Sequence, residues 1–345
     1  MTGPILTAPV SVYIDPAVFA RERERIFAKS WQFFGLAADL LRAGDYLADV
    51  LAGYPLVVVR DEQGRLKGYH NVCRHRAGPL AEEGKGRCDR EFVCRYHDWR
   101  YGYDGRLKKA TGFGSVQEGA AKDLHLFPIL VETWRGFVFV NLDLHAPPLI
   151  EIIRPLDERL GRQPYRSPTI RDSHPVACNW KVYVENYLDG YHREGIHPAL
   201  AQKAGAQRID IQMHGQVALC EIVDSVAGGE GLWSWVWPNW GINLYRGVLM
   251  LEHMRPEGPD RARIDHIFLH EPEDAGVDAA IAYSERITEE DNWICERVQR
   301  NLDAGVYKEG ILSPDQEGTV VWFQARVADA IADRANDFGE TDETR

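Results

Sequence analysis

The residues that could do chemistry fall into two groups. The first lies within C-R-H-R-A-G-P-L-A-E-E-G-K-G-R-C-D-R-E-F-V-C-R-Y-H, Cys73 to His97. Cys73 and His75 form one half, Cys94 and His97 the other, with 18 residues between His75 and Cys94. Each half offers one thiolate and one imidazole on what reads as a loop tip. A 2Fe–2S cluster of the Rieske kind asks for this mixture, two cysteines on one iron and two histidines on the other. Neutral imidazoles leave less negative charge on the cluster and raise its potential. Gly78-Pro79, Gly84 and Gly86 are expected to turn the tips. A structural zinc ion is the alternative, but zinc modules usually group like ligands, C-x2-C then H-x3-H.

The second group lies in N-W-K-V-Y-V-E-N-Y-L-D-G-Y-H-R-E-G-I-H, Asn179 to His197. On an unbroken helix His192 and His197 would stand about 140° apart, on different faces. They converge on one metal only if the helix ends or deforms between them, and Gly190, Gly195 and Pro198 provide for that. Asp189, three residues before His192, is placed to hold the second nitrogen of a ligating imidazole. The plain alternative is two ordinary histidines near a helix end. Two imidazoles and one carboxylate make a non-haem iron(II) site with open positions. The carboxylate is expected on a late helix, about Ala279 to Leu302. There Ile287, Ile294, Cys295, Val298 and Leu302 form an apolar stripe with Asp291 in its middle. Glu289, Glu290 and Glu296 fall outside it. A buried carboxylate needs a cation or strong donor, so Asp291 faces either iron or an arginine.

These groups need elements to hold them. The chain has 345 residues, 45% apolar and 27% charged, enough for two domains and a sizeable core. Asp15-Pro16 starts a helix as N-cap and first-turn proline, with Phe19, Ile26, Phe27 and Trp31 facing a core. Short strands follow: Tyr54 to Arg60, a D-E-Q-G turn, Lys67 to Val72, and later Phe137 to Leu142. His145-Ala146-Pro147-Pro148 ends this small β region. Further strands are expected at Val217–Val223, Trp233–Trp237, Val248–His253 and Arg263–His270, with linkers such as A-G-G-E-G and P-E-G-P-D. We therefore expect an N-terminal helix in 1–40, a β domain in 41–148, a metal-binding domain in 149–336 and a disordered acidic tail in 337–345.

Both motifs resemble one family. The Cys73–His97 run with its following D-W-R-Y-G-Y-D-G-R-L is similar to the Rieske domain of ring-hydroxylating oxygenases. N-W-K…E-N-Y-L-D-G-Y-H…H-P and E-D…C-E-R-V-Q resemble the catalytic domain of their α subunits. The resemblance covers nearly the whole chain and implies an α+β protein. A small all-β Rieske domain would join a helix-grip catalytic domain, an antiparallel sheet around a long helix. It assigns the cluster to Cys73, His75, Cys94 and His97, the mononuclear iron(II) to His192, His197 and Asp291, and the bridge to Asp189. It also implies a homotrimer, some relatives adding a second subunit type, with one chain's His97 beside its neighbour's Asp189. A flavin-dependent reductase, with or without a ferredoxin, would supply electrons, and O2 would be spent on hydroxylating or demethylating a small molecule. Arg95 and Asp98 depart from the family, where proline and glycine are common. Asp tolerates a left-handed backbone better than most residues. Arg74 and Arg95 are candidates for docking an acidic electron donor.

The W-P-N-W-G-I-N-L-Y-R-G wording looks like the branch that oxidises choline, glycine betaine and carnitine. Trp233, Trp235 and Trp237 alternate along a strand, with Trp240 and Tyr245 behind. They form either an aromatic wall for a ring or quaternary ammonium, or simple packing. His214, His253, His266 and His270 read as surface or hydrogen-bonded core. A net charge of -12 argues against nucleic acid as partner. No apolar run reaches membrane-spanning length, no signal peptide is evident, and Cys88, Cys178, Cys220 and Cys295 read as free thiols of a cytoplasmic protein. The rival functions are a Rieske electron carrier lacking oxygenase activity and a zinc-stapled binding protein.

Overall fold

A computed structural model of the chain describes residues 4–114, 124–161, 167–197, 209–222, 231–245, 248–270 and 277–332. Pro198, residues 227–230 of the A-G-G-E-G linker and the acidic tail lie outside them.

The N-terminal half is built of two antiparallel sheets. The larger runs in the order Gln32–Leu36, Phe137–Asn141, Pro128–Trp134, Leu66–His70, Tyr54–Arg60, Asp45–Leu51, Gly84–Arg87. The smaller has the strands Glu91–Cys94, Trp99–Gly102 and Leu107–Lys109. Alternate side chains of a strand point to opposite faces, so the buried run Leu56–Val59 serves two cores. Val57 and Val59 pack under the smaller sheet with Tyr69, Phe92 and Tyr101. Leu56 and Val58 join Phe34, Leu47 and Val138 on the other side. Two expectations are corrected here. Gln32–Leu36 pairs with Phe137–Asn141, so the β domain draws a strand from before residue 41. That strand is pinned because Phe33 and Phe34 bury on opposite faces. Gly84 and Gly86 lie in a strand paired with Asp45–Leu51, where Gly86 leaves room for the Tyr46 ring, and not at a tip.

The C-terminal half is one seven-stranded antiparallel sheet. Its order is Ser167–Val176, Ala262–His270, Val248–Pro256, Trp240–Tyr245, Gly231–Val236, Val217–Ile222, Ile209–His214. One face packs on helix Leu149–Leu160, whose Leu149, Ile153, Leu156 and Leu160 meet Leu251 and Ile267. The opposite face grips helix Trp180–Leu188 and the long helix Val277–Asp303 through Met254, Ile264, Met250 and Phe268. On the long helix Cys295 and Leu302 are buried as expected, but Val298 is exposed and polar Thr288 and Gln299 are buried instead. Gln299 lies inside because its side-chain oxygen accepts the Asn179 N–H at 2.9 Å.

Helix Trp180–Leu188 is fastened at both ends. Asn179 caps its start by accepting the Lys181 N–H, and the buried Lys181 Nζ meets Glu22 Oε1 at 2.6 Å. Glu22 belongs to helix Pro16–Arg25, which Asp15 caps as expected. At the other end Thr319, from the C-terminal helix Gly318–Ile331, donates to the Leu188 carbonyl at 2.8 Å. No helix among the described residues is long and apolar enough to cross a membrane.

Candidate active site

The first group forms two matched turns. Ala77 donates its N–H to the Cys73 carbonyl at 3.0 Å, and Asp98 donates to the Cys94 carbonyl at 2.9 Å. Both residues closing the turns are left-handed, φ 54° at each. Asp98 is held there by Arg100 and Thr111. The thiols are buried, Cys73 at 3% exposure and Cys94 at 1%, while the His75 and His97 rings meet edge to face at 4.5 Å nearer the surface. Trp99 stacks on His75 at 4.9 Å, and the Tyr101 hydroxyl lies 3.3 Å from Cys73 Sγ. Burial and the neighbouring Cys73 push the Cys94 thiol up. Desolvation, His75 and Arg76 hold the His97 imidazole below its usual value. A Cβ on Gly78 would stand 2.9 Å from Cys94 Sγ, so only glycine leaves that sulfur its space. His75 Nδ1 is buried without a hydrogen-bond partner. Two thiols inside, two imidazoles outside and an orphaned ring nitrogen fit a cluster bound asymmetrically by two cysteines and two histidines.

Of the two arginines between the ligands, Arg95 is exposed beside Glu82 at 3.2 Å. Arg74 donates to the His125 carbonyl and lies over the Phe127 ring.

In the second group the helix ends where the sequence breaks it. Asp189 is the C-cap of Trp180–Leu188, His192 precedes the one-turn helix Arg193–Ile196, and His197 follows it. The long helix then brings Asp291 across. His192 Nε2 and His197 Nε2 are 3.1 Å apart, and Asp291 Oδ1 lies 3.0 Å from His197 Nε2 and 3.5 Å from His192 Nε2. Metal–ligand bonds of about 2.1 Å at right angles put donor atoms about 3.0 Å apart, so this triangle fits one ion. Burial pulls the His192 imidazole down, but Asp189 and Asp291 outweigh it and lift it to about 9. Burial also opposes the Asp291 charge, yet His192, His197 and Asn186 hold its carboxyl below the usual range. Cation-seeking nitrogens face a carboxylate already ionised, the donor set a divalent metal takes with loss of protons.

Two members of this site were missed in the sequence. Glu290 Oε2 meets His197 Nδ1 at 2.7 Å, although Glu290 lies off the apolar stripe. The Asn186 amide donates to Asp291 Oδ1 at 2.7 Å. Adjacent carboxylates at 290 and 291 were the available signal, one aimed at each side of an imidazole. Asp189 Oδ2 lies 3.6 Å from His192 Nδ1, while Oδ1 accepts the Tyr191 N–H. Among the described residues, no hydrogen bond, ion pair or ring contact joins the cluster tips to this triad within one chain.

The tryptophans resolve mainly as packing. Trp235 and Trp237 sit in the core against Tyr187 and Phe323, and Trp240 donates to the Trp31 carbonyl in the other core. Trp233 alone of that run is half-buried.

The Rieske [2Fe-2S] domain profile matches residues 30–120, and that of the ring hydroxylating alpha subunit (catalytic domain) matches 165–229 and 223–333. The chain thus belongs to the Rieske non-haem iron oxygenases and is their α, or terminal oxygenase, subunit. Its cofactors are a Rieske 2Fe–2S cluster and a mononuclear iron. It is 32% identical over 327 residues to the chloroplastic choline monooxygenase of Beta vulgaris, covering 88% of this chain and 72% of that one. It is 37% identical over 199 residues to the glycine betaine monooxygenase oxygenase subunit of Chromohalobacter salexigens, 56% of this chain and 43% of that one. Among solved structures, the quaternary ammonium Rieske monooxygenase CntA with L-carnitine superposes with a TM-score of 0.82 at 25% identity, covering 95% and 96% of the two chains.

Proposed function

We propose that this oxygenase hydroxylates or oxidatively demethylates a small quaternary ammonium compound, inserting one oxygen atom from O2. The relatives named for choline, glycine betaine and carnitine support that substrate class. So does Trp233, half-buried on the same sheet face as Trp235 and the Tyr187 ring, since an indole face attracts a permanent cation.

The single observation behind the site assignment is the donor triangle of His192, His197 and Asp291. In this reading these three hold the iron, and Cys73, His75, Cys94 and His97 hold the cluster. When bound, the cluster supplies single electrons and the iron supplies dioxygen activation. Glu290 accepts a hydrogen bond from His197 Nδ1–H and so fixes the tautomer in which Nε2 is an unprotonated, neutral donor. Asn186 keeps the Asp291 carboxylate turned toward both imidazoles. Asp189 orients His192 and, in a homotrimer, would meet the neighbouring chain's His97, carrying electrons between subunits. The partial exposure of His97 and the lack of a contact path among the described residues of one chain favour that arrangement. A flavin-dependent reductase, directly or through a ferredoxin, would be the donor. The four cysteines outside the cluster, Cys88, Cys178, Cys220 and Cys295, form no disulfide, which favours a cytoplasmic setting.

Turnover of the reconstituted enzyme with reductase and NADH tests the reading. Choline, glycine betaine and carnitine are compared with aromatic acids by O2 uptake and product formation. Coupled product from a methylated amine is expected, and coupled product from aromatic acids alone would overturn it. Asp189→Ala is expected to retain both metals while the reduced cluster is no longer oxidised by O2 and substrate.

A further inference from the structure

We infer that Asp172, His174 and His266 form a second metal site, separate from the iron triad, for a divalent first-row cation, zinc foremost. Asp172 and His174 stand two residues apart on strand Ser167–Val176 and so share a face. His266 is the register partner of Asp172 on strand Ala262–His270. One donor atom from each lies within 4.8 Å of the others, the same grouping that marks the iron triad. The face is the one that grips the helices, between the apolar clusters around Ile264 and Phe268.

The second observation is His266 itself. Its side chain is 1% exposed, and neither ring nitrogen has a hydrogen-bond partner. Leaving a buried polar atom unpaired is costly, so two on one ring call for a ligand. The nearest carboxylate, Glu252, reaches only to 3.7 Å, and its Oε1 is buried and unpaired as well. Asp172 uses Oδ1 to accept the Ser173 N–H and turns Oδ2 to His174 Nε2 at 2.5 Å. The His174 and His266 rings stand 5.6 Å apart. If Nδ1 ligates, Nε2 keeps the Glu252 carboxylate 3.7 Å away on its other side, the partner a ligating imidazole usually has. Partial exposure of Asp172 and His174 leaves an entry path.

Two imidazoles and one carboxylate exclude calcium and magnesium, which take oxygen ligands, and suit zinc with a fourth position for water. Ser167–Val176 is an edge strand that leads into Asn179, the cap of the helix that runs up to Asp189 and His192. A metal tying it to its neighbour would clip that edge.

Zinc alone is the probe. Holoprotein carrying all three irons is incubated with zinc sulfate, desalted, and its zinc and iron counted by mass spectrometry. Wild type is expected to gain one zinc per chain without losing iron, with a rise in melting temperature. His174→Gln and His266→Gln, checked for intact Rieske absorption, are expected to bind zinc at least tenfold more weakly. His192→Ala is expected to retain the added zinc. No retained zinc in wild type overturns the site. So does zinc that displaces iron and disappears with His192→Ala but not with His174→Gln.

Discussion

The two groups of proposed metal ligands are held in opposite ways. The cluster tips are local: each is a single turn closed by a hydrogen bond from the fourth residue after its cysteine, and all four ligands lie between Cys73 and His97. The proposed iron triad is collective, because Asp291 arrives from 94 residues beyond His197. Its geometry depends on Glu22 beneath Lys181, Thr319 on the Leu188 carbonyl and Glu290 behind His197. A motif built from one turn carries its geometry with it, whereas one built from two helices borrows it from everything packed around them.

The largest expected effect tests that independence. His192→Ala should abolish turnover yet leave the Rieske absorption and spin signal intact, and Cys94→Ser should lose the cluster but keep the mononuclear iron. If either substitution empties both centres, the two are not separately held. Glu290→Ala removes the acceptor behind His197 and should weaken iron(II) binding about 10–100-fold, measured by competition with a chelator. Glu289→Gln should do nothing.

The collective site should also be the pH-sensitive one. Burial raises the Glu185 carboxyl to about 7 despite hydrogen bonds from Tyr13 and Gln324. Glu185 lies on helix Trp180–Leu188, which carries Asn186 and leads to Asp189 and His192, and its folded pKa stands above its unfolded one. The folded state therefore binds the extra proton between about pH 4.5 and 7, and stability falls as pH rises through that window. Glu185→Gln should raise the melting temperature at pH 8 more than at pH 5. An equal shift at both would show that Glu185 is not the titrating group.

The smallest effect separates one tip from the other. At Ala77 a left-handed backbone costs roughly 1–2 kcal/mol, of which a glycine's extra unfolded freedom returns about 0.4–1. Ala77→Gly should thus stabilise by about 0.5 kcal/mol in chemical unfolding. Asp98→Gly should gain nothing, since it also loses the contacts to Arg100 and Thr111. Equal gains at both would mean those contacts carry no energy.

Much of this was legible because it is written in short spacings. Asp15-Pro16 starts its helix as residue type demands, and Tyr54–Arg60 is a strand with the bounds its Leu-Val-Val-Val run suggests. The candidate iron histidines were readable because the helix before them was expected to break; it does so at Asp189 and Gly190, whereas Gly195 lies inside the one-turn helix Arg193–Ile196. Glu290 was passed over because an amphipathic stripe says which side chains are buried, not which reach sideways to a neighbour. Gly84 and Gly86 were misplaced at a tip because glycine marks close approach as readily as a turn.

By itself the sequence determined which donor types exist, their order and their local turns, since those follow from backbone preferences over a few residues. Only the tertiary structure decided that Glu290 backs His197, that the tryptophans are mostly core, and that His266 faces Asp172. Cross-strand register and helix contact set those pairings, and both come from packing between segments whose separation along the chain carries no period.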